Sequence, residues 1–122
     1  MVYHEDMRVW DFRSIPNKSG VYIIWNSLNQ RFYIGSSHNM RNRFKQHLSG
    51  LFRGQHSNKA FQECFNAHGL KAFEFAVLEN VTDGRSLEPL ERAWMLKYGA
   101  PENPLSYNIV LAGDYFGRAS NA

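Results

Sequence analysis

Residues 20–47 read GVYIIWNSLNQRFYIGSSHNMRNRFKQH, and the reading of this stretch decides the fold. Gly20 to Asn26 is apolar and aromatic and reads as a strand, and Arg31 to Ser36 reads as a second. The polar connection from Asn26 to Gln30, with Asn26, Ser27 and Asn29, makes a hairpin the natural joining of the two. Tyr22 and Tyr33 are eleven residues apart, an odd number. Directly paired residues of an antiparallel hairpin share a face, so a loop with an even residue count puts both phenols on one side, and a one-residue slip separates them. Gly35 leaves room for another backbone or a ligand to approach the end of the second strand.

Downstream, Ser36, Ser37 and Asn39 are candidate N-caps for a helix. Met40, Phe44, Leu48 and Leu51 recur along it at helical spacing as a core stripe, while Arg43 and His47 lie four apart on an adjoining face. Gly50 and Gly54 loosen or end it. A second helix fits Asn58 to His68, with Phe61, Cys64, Phe65 and His68 on one face and Gly69 as its stop. Phe73 to Val81 reads as a third strand followed by a turn at Asp83 and Gly84. Ser86 to Tyr98 reads as a third helix with the apolar stripe Leu87, Leu90, Trp94 and Tyr98 and with Glu91 in the middle of that stripe. Pro101 and Pro104 hold an extended loop, after which Tyr107 to Leu111 returns as a short edge segment. The expected organisation is an N-terminal arm over residues 1–18, one domain over 19–110, and a tail or linker over 111–122.

Whole-chain totals agree with one compact domain. The chain has 122 residues, 43% hydrophobic and 15% aromatic, so a packed core is expected. A net charge of +3 permits a nucleic-acid partner. Its placement is more informative: between Arg41 and Arg53 there are five basic residues, counting His47, and no acid. A single cysteine, Cys64, excludes an intramolecular disulfide and any multi-cysteine zinc site. No apolar run approaches a membrane span and no signal-peptide pattern opens the chain, so a soluble, intracellular protein is expected.

Several residues carry chemistry. A carboxylate on an apolar helix face, as at Glu91, must be neutralised, paired or bound to metal, because a bare charge there costs several kcal/mol. Both a salt bridge to Arg43 or Arg92 and a metal role satisfy that requirement. Tyr22 and Tyr33 taken singly are ordinary amphipathic strand residues. As general bases they need help, since a phenol of pKa near 10 is mostly protonated at neutral pH; a metal, Arg43, or a proton acceptor such as His47 is required. His56 in QHSN is placed to contact phosphate or simply to be solvated, and Ser57 beside it joins the same surface. Cys64 lies on a core stripe and reads as inert.

The tripeptides VYI at 21–23 and YIG at 33–35, Arg43 ten residues after Tyr33, His47 four after Arg43, ERAW around Glu91 and YNI around Asn108 resemble, in order, the motifs of the GIY-YIG nucleases. The block HSNKAFQECFNAHG followed by FEFAVLE is similar to the middle segment of the phage homing-type branch. The resemblance covers about residues 19–110 and departs in the first tripeptide, where valine stands for isoleucine and glycine comes one position early. It implies an α+β fold, a small central three-stranded antiparallel sheet flanked by helices, and hydrolysis of DNA phosphodiester bonds to 5′-phosphate and 3′-hydroxyl ends with one divalent cation, Mg²⁺ or Mn²⁺. Carried onto this sequence, Glu91 ligates the metal, Tyr22 is the base that passes its proton toward His47, and Tyr33 orients water or phosphate. Arg43 binds the scissile phosphate and Asn108 supports the site by hydrogen bonding. Arg41, Lys45, Arg53, His56 and Ser57 are expected to contact DNA. Any sequence specificity is expected from a separate DNA-binding region or a partner. Two rivals stand beside this reading: a non-catalytic nucleic-acid-binding module on the same fold, and a protein-interaction domain whose binding is indifferent to salt.

Overall fold

A computed structural model of the chain describes residues 14–113. In chain order its elements are β1 (Gly20–Asn26), β2 (Phe32–Ser37), α1 (Met40–Phe52), α2 (Lys59–His68), a 3₁₀ turn (Leu70–Ala72), β3 (Phe73–Asn80) and α3 (Leu87–Lys97). The three strands form one antiparallel sheet in the order β2-β1-β3. The expected α+β architecture is therefore the one observed.

The hairpin register is the even-loop one. The Asn26 N–H donates to the Arg31 carbonyl at 2.7 Å and closes a loop over 27–30, so Tyr22 faces Gly35 and Ile24 faces Tyr33. Both phenols consequently lie on one face of the sheet. That face is covered by Met40, Phe44, Leu48 and Leu51 of α1 and by Phe61 and Phe65 of α2. The opposite face presents Val21, Ile23, Phe32 and Ile34 to Met95 of α3 and to Ala100 and Ala112. A register shift between Val21 and Tyr22 in the β1–β3 pairing places Val77 opposite Tyr22 and Glu79 opposite Val21.

Caps explain where α1 and α2 start. The Asn39 side chain accepts from the Asn42 N–H at 3.1 Å, and the Asn58 side chain accepts from the Phe61 N–H at 3.1 Å. Carbonyls of Lys18 and Pro16 accept the N–H groups of Met40 and Arg41, and Ile15 is buried in the core. The last residues of the expected arm thus satisfy donors at the start of α1 that the helix itself leaves open. Residues 1–13 of that arm, and 114–122 of the expected tail, lie outside the described residues. The tail's first residues pack: Ala112 is fully buried and its carbonyl accepts from Arg92 Nη1 at 3.0 Å.

Three expectations need correction. His68 is exposed, and Gln62 takes the inward position on α2, because its amide finds three partners there that keep its burial satisfied. The buried line of α3 is Leu87, Glu91 and Met95, with Leu90 and Trp94 half-buried and Tyr98 exposed; the helix is rotated so that the carboxylate points inward. Tyr107 to Leu111 forms no strand. Only Ser106 makes a parallel bridge to Phe32, flanked by Phe32 N–H to the Leu105 carbonyl and Tyr107 N–H to the Phe32 carbonyl. Among the described residues no helix is long and apolar enough to cross a membrane.

Candidate active site

Tyr22 rises from the central strand, where Gly35 of β2 faces it. A methyl group at 35 would lie 2.5 Å from the Tyr22 hydroxyl and 2.6 Å from its Cζ, so the phenol crosses β2 over the one residue without a side chain. Stacking on Phe75 (ring centroids 5.3 Å apart) supports the other face of the ring. The hydroxyl meets His47 Nε2 at 2.7 Å and is also hydrogen-bonded by the Arg43 side chain. Complete burial pushes the phenol well above its ordinary pKa of 10; Arg43 pulls it back down, and the negative charge of Glu91 pushes it up again.

His47 is buried and lowered well below its ordinary pKa, first by desolvation and then by the positive charge that His56 and Arg43 can bring. Tyr33 packs edge-on against its ring at 5.2 Å and 73°. His47 Nδ1 meets His56 Nε2 at 2.8 Å. His56 is held from both sides: its N–H donates to Gln62 Oε1 at 2.9 Å, and its Nδ1 accepts from the Asn58 N–H at 2.9 Å. Burial lowers His56 to about 4.

Glu91 approaches from α3, on the other face of the sheet. Its carboxylate is buried at 8% exposure and accepts from the Ser36 hydroxyl at 2.5 Å. Alternation along β2 turns Ser36 toward α3 and Gly35 toward Tyr22. The phenol passing over Gly35 and the carboxylate held by Ser36 therefore approach β2 from opposite faces, near enough for the Glu91 charge to act on the phenol. Asn108 reinforces that edge: its Oδ1 accepts from the Ile34 N–H at 2.8 Å and its Nδ2 donates to the Ile34 carbonyl at 2.9 Å. One side chain thus continues the sheet where the backbone of 107–111 does not.

Of the residues expected to work together, Tyr22, Arg43, His47 and Glu91 converge, Tyr33 lies against His47, and Asn108 acts one residue away through Ile34. The expected DNA contacts divide. Lys45, Arg53 and Ser57 are exposed. Arg41 ties α1 to the preceding segment, its Nε donating to the Ile15 carbonyl at 2.9 Å. His56 turns inward to His47 instead of outward to phosphate.

A family model described as the GIY-YIG catalytic domain matches residues 18–105. The chain belongs to the GIY-YIG endonuclease family. Intron-associated endonuclease 1 of Enterobacteria phage T4 is 37% identical over 93 residues, which is 75% of this chain and 37% of that protein. A probable intron-encoded endonuclease 1 of Neurospora crassa is 34% identical over 68 residues, 56% of this chain and 21% of its own length. The chain spans well under half of either relative. Two solved structures of the catalytic domain of the intron endonuclease I-TevI share the fold. One, of a point mutant, has a TM-score of 0.70 at 35% identity and covers 82% of this chain and 99% of its own; the other has 0.67 at 34%, with 76% and 99% covered.

Within this GIY-YIG domain three side chains escaped the reading of the sequence. Ser36 follows YIG directly, where the sequence pattern offers it only as a helix cap. Asn58 and Gln62 fix His56, and their one visible signal is the N-cap position of Asn58 just after HS.

Proposed function

We propose that this domain cuts DNA by hydrolysing phosphodiester bonds to 5′-phosphate and 3′-hydroxyl ends, with one divalent cation, Mg²⁺ or Mn²⁺, as cofactor. The observation that supports this reading is that Arg43 hydrogen-bonds the Tyr22 hydroxyl while the charge of Glu91, a buried carboxylate held by Ser36 from the other face, acts on the same phenol. A purely DNA-binding module has no use for a carboxylate among Leu87, Met95 and their neighbours.

The donor set fits the cofactor. Among the described residues no group of three His, Cys, Asp or Glu side chains forms a protein cage for a metal. One carboxylate beside one hydroxyl, Glu91 and Ser36, is the sparse hard-oxygen set that suits a Mg²⁺-like ion retaining waters and taking substrate oxygens. Such an ion, when bound, supplies positive charge against the leaving 3′-oxygen and the phosphate.

The chain's own residues supply the rest. Arg43 is half-buried on α1, beside the Tyr22 hydroxyl, where its guanidinium binds the scissile phosphate and also favours the phenolate. Tyr22 as phenolate takes the proton of the attacking water. Tyr33 is buried against His47, which supports holding the imidazole in place over the expected contact to water or phosphate. Lys45 and Arg53 offer exposed charge to the DNA backbone. A separate DNA-binding region or a partner supplies any sequence specificity, and the DNA substrate places the reaction inside a cell.

The test is plasmid nicking by the purified chain with Mg²⁺, Mn²⁺ or EDTA, run beside Glu91→Ala. Metal-dependent nicking that disappears in the variant is expected. Salt-dependent DNA binding by both proteins with cleavage by neither would overturn catalysis in favour of the binding module.

A further inference from the structure

We propose that His56 is a positioning residue that sets which nitrogen of His47 carries the proton, so that His47 donates a hydrogen bond to the Tyr22 oxygen and does not receive the Tyr22 proton. The inference deepens the nuclease reading and rests on it for its catalytic consequence.

The direction of the chain of bonds follows from its one unambiguous donor. A backbone N–H can only donate, and the Asn58 N–H points at His56 Nδ1 at 2.9 Å. Neutral His56 must therefore carry its hydrogen on Nε2. That nitrogen lies 2.8 Å from His47 Nδ1, which must accept. The two rings are 16° from parallel with centroids 5.1 Å apart, as for two imidazoles meeting edge to edge, so the bond runs in the ring planes. His47 then holds its own hydrogen on Nε2, 2.7 Å from the Tyr22 hydroxyl oxygen. The opposite order, from Tyr22 through His47 to His56, ends with a hydrogen on His56 Nδ1 facing the Asn58 N–H, two donors with nothing between them. Burial keeps both rings neutral, which excludes the doubly protonated alternatives.

The loop is built to hold this order. Gln62 fixes the His56 backbone at 2.9 Å and is itself anchored to the Leu51 carbonyl at 3.0 Å. Asn58 is fixed by capping α2 and by donating from Nδ2 to the Tyr107 carbonyl at 2.7 Å. Phe61 packs on His56 with centroids 4.9 Å apart.

The consequence is a changed role for His47. Because Tyr22 is fully buried, its own hydroxyl hydrogen leaves by a route other than His47, to water that enters the site with the DNA. As phenolate it then takes one proton from the attacking water, while His47 keeps its Nε2 proton and stabilises the phenolate beside Arg43. The expectation that His47 receives the Tyr22 proton is thereby reversed.

The experiment is long-range ¹H–¹⁵N NMR of the whole chain labelled with ¹⁵N-histidine at pH 7.5, with His47 and His56 assigned by single substitution. Both rings are expected as the Nε2–H form, with His47 Nδ1 unprotonated. A protonated His47 Nδ1 overturns the proposal, whether or not the chain cuts DNA. His56→Leu is expected to mix the two forms of His47 and to lower kcat by at least tenfold with KM changed less than twofold. His56→Gln, whose amide restores a donor, is expected to recover most of both. An unchanged His47 signature in a folded His56→Leu protein also overturns it. A chain that shows the expected tautomers and cuts no DNA sinks the nuclease reading instead.

Discussion

Replacing Gly35 by alanine tests how the phenol reaches the β2 edge. The backbone there has no positive φ, so alanine adds no torsional strain and the whole effect comes from contact. The new methyl would stand 2.5 Å from the Tyr22 hydroxyl and 2.6 Å from Cζ, where ordinary contact begins at 3.4 Å. The ring must therefore retreat by roughly 1 Å in a closely packed interior. A 2.7 Å bond to His47 stretched by that amount is no longer a hydrogen bond. Overpacking of this kind costs about 1–3 kcal/mol, and the lost buried bond adds about 1 kcal/mol. With Tyr22 as the proposed base, its displacement by about 1 Å lowers the cleavage rate on the order of 100-fold. Urea unfolding followed by tryptophan fluorescence reads the first quantity, and single-turnover plasmid nicking at a temperature where the variant stays folded reads the second. Tyr22→Phe added to Gly35→Ala removes only the hydroxyl contact and leaves the one to Cζ, so the double variant does not regain stability. Wild-type stability and wild-type cleavage in Gly35→Ala would refute the crossing of Tyr22 over residue 35.

Asn108→Ala removes both bonds to Ile34 and leaves its N–H and carbonyl without that partner; a loss of about 1–3 kcal/mol in chemical denaturation is expected, and a loss below about 0.5 kcal/mol would show that the edge needs no such support. His56 and His47 are held below their ordinary pKa of 6.5, His56 at about 4, so between those values the unfolded chain binds protons that the folded chain does not. Stability is therefore full above pH 6.5 and falls as the pH drops toward 4, by on the order of 1–2 kcal/mol for the partly exposed His56; urea midpoints at pH 7.5 and 5.0 that fail to separate more in the wild type than in His56→Gln would count against it. Lys45→Ala and Arg53→Ala should each reduce the salt dependence of DNA binding by about one in log–log slope. Arg41→Ala should instead destabilise the fold, because its Nε serves the Ile15 carbonyl, and fluorescence anisotropy at several salt concentrations beside melting curves separates the two behaviours.

Local pattern carried far in this chain. Strand alternation and the even loop put Tyr22 and Tyr33 on one face, and the helical spacing of Met40, Phe44, Leu48 and Leu51 marked the buried side of α1. The cap Asn39 was readable, beside Ser36 and Ser37, because capping is a contact between near neighbours. Along α3 the same local reading puts Leu87 and Glu91 inside, with Leu90 and Trp94 packed at the margin, but misses Met95, which is buried while Tyr98 is exposed. Leu90, Trp94 and Tyr98 are as apolar as Leu87 and Met95, and hydropathy alone does not say which of two adjacent apolar lines meets the sheet. It also sent His56 outward, because nothing within a few residues of QHSN shows that Gln62 and Asn58 will turn the ring toward His47.

The sequence by itself determined the order of elements and, through motif spacing, the family, but left the hairpin register to the loop length, which the Asn26 to Arg31 bond fixes. Only the tertiary structure decided that Glu91 answers to Ser36, that Asn108 finishes the sheet edge at Ile34, and that the line from Asn58 through His56 and His47 ends on Tyr22. Those pairings join residues from different elements, and hydrogen bonds have a direction that spacing does not encode. Which atom donates is settled only when the backbone N–H of Asn58 has been brought against His56 and every later bond in the line must follow from it.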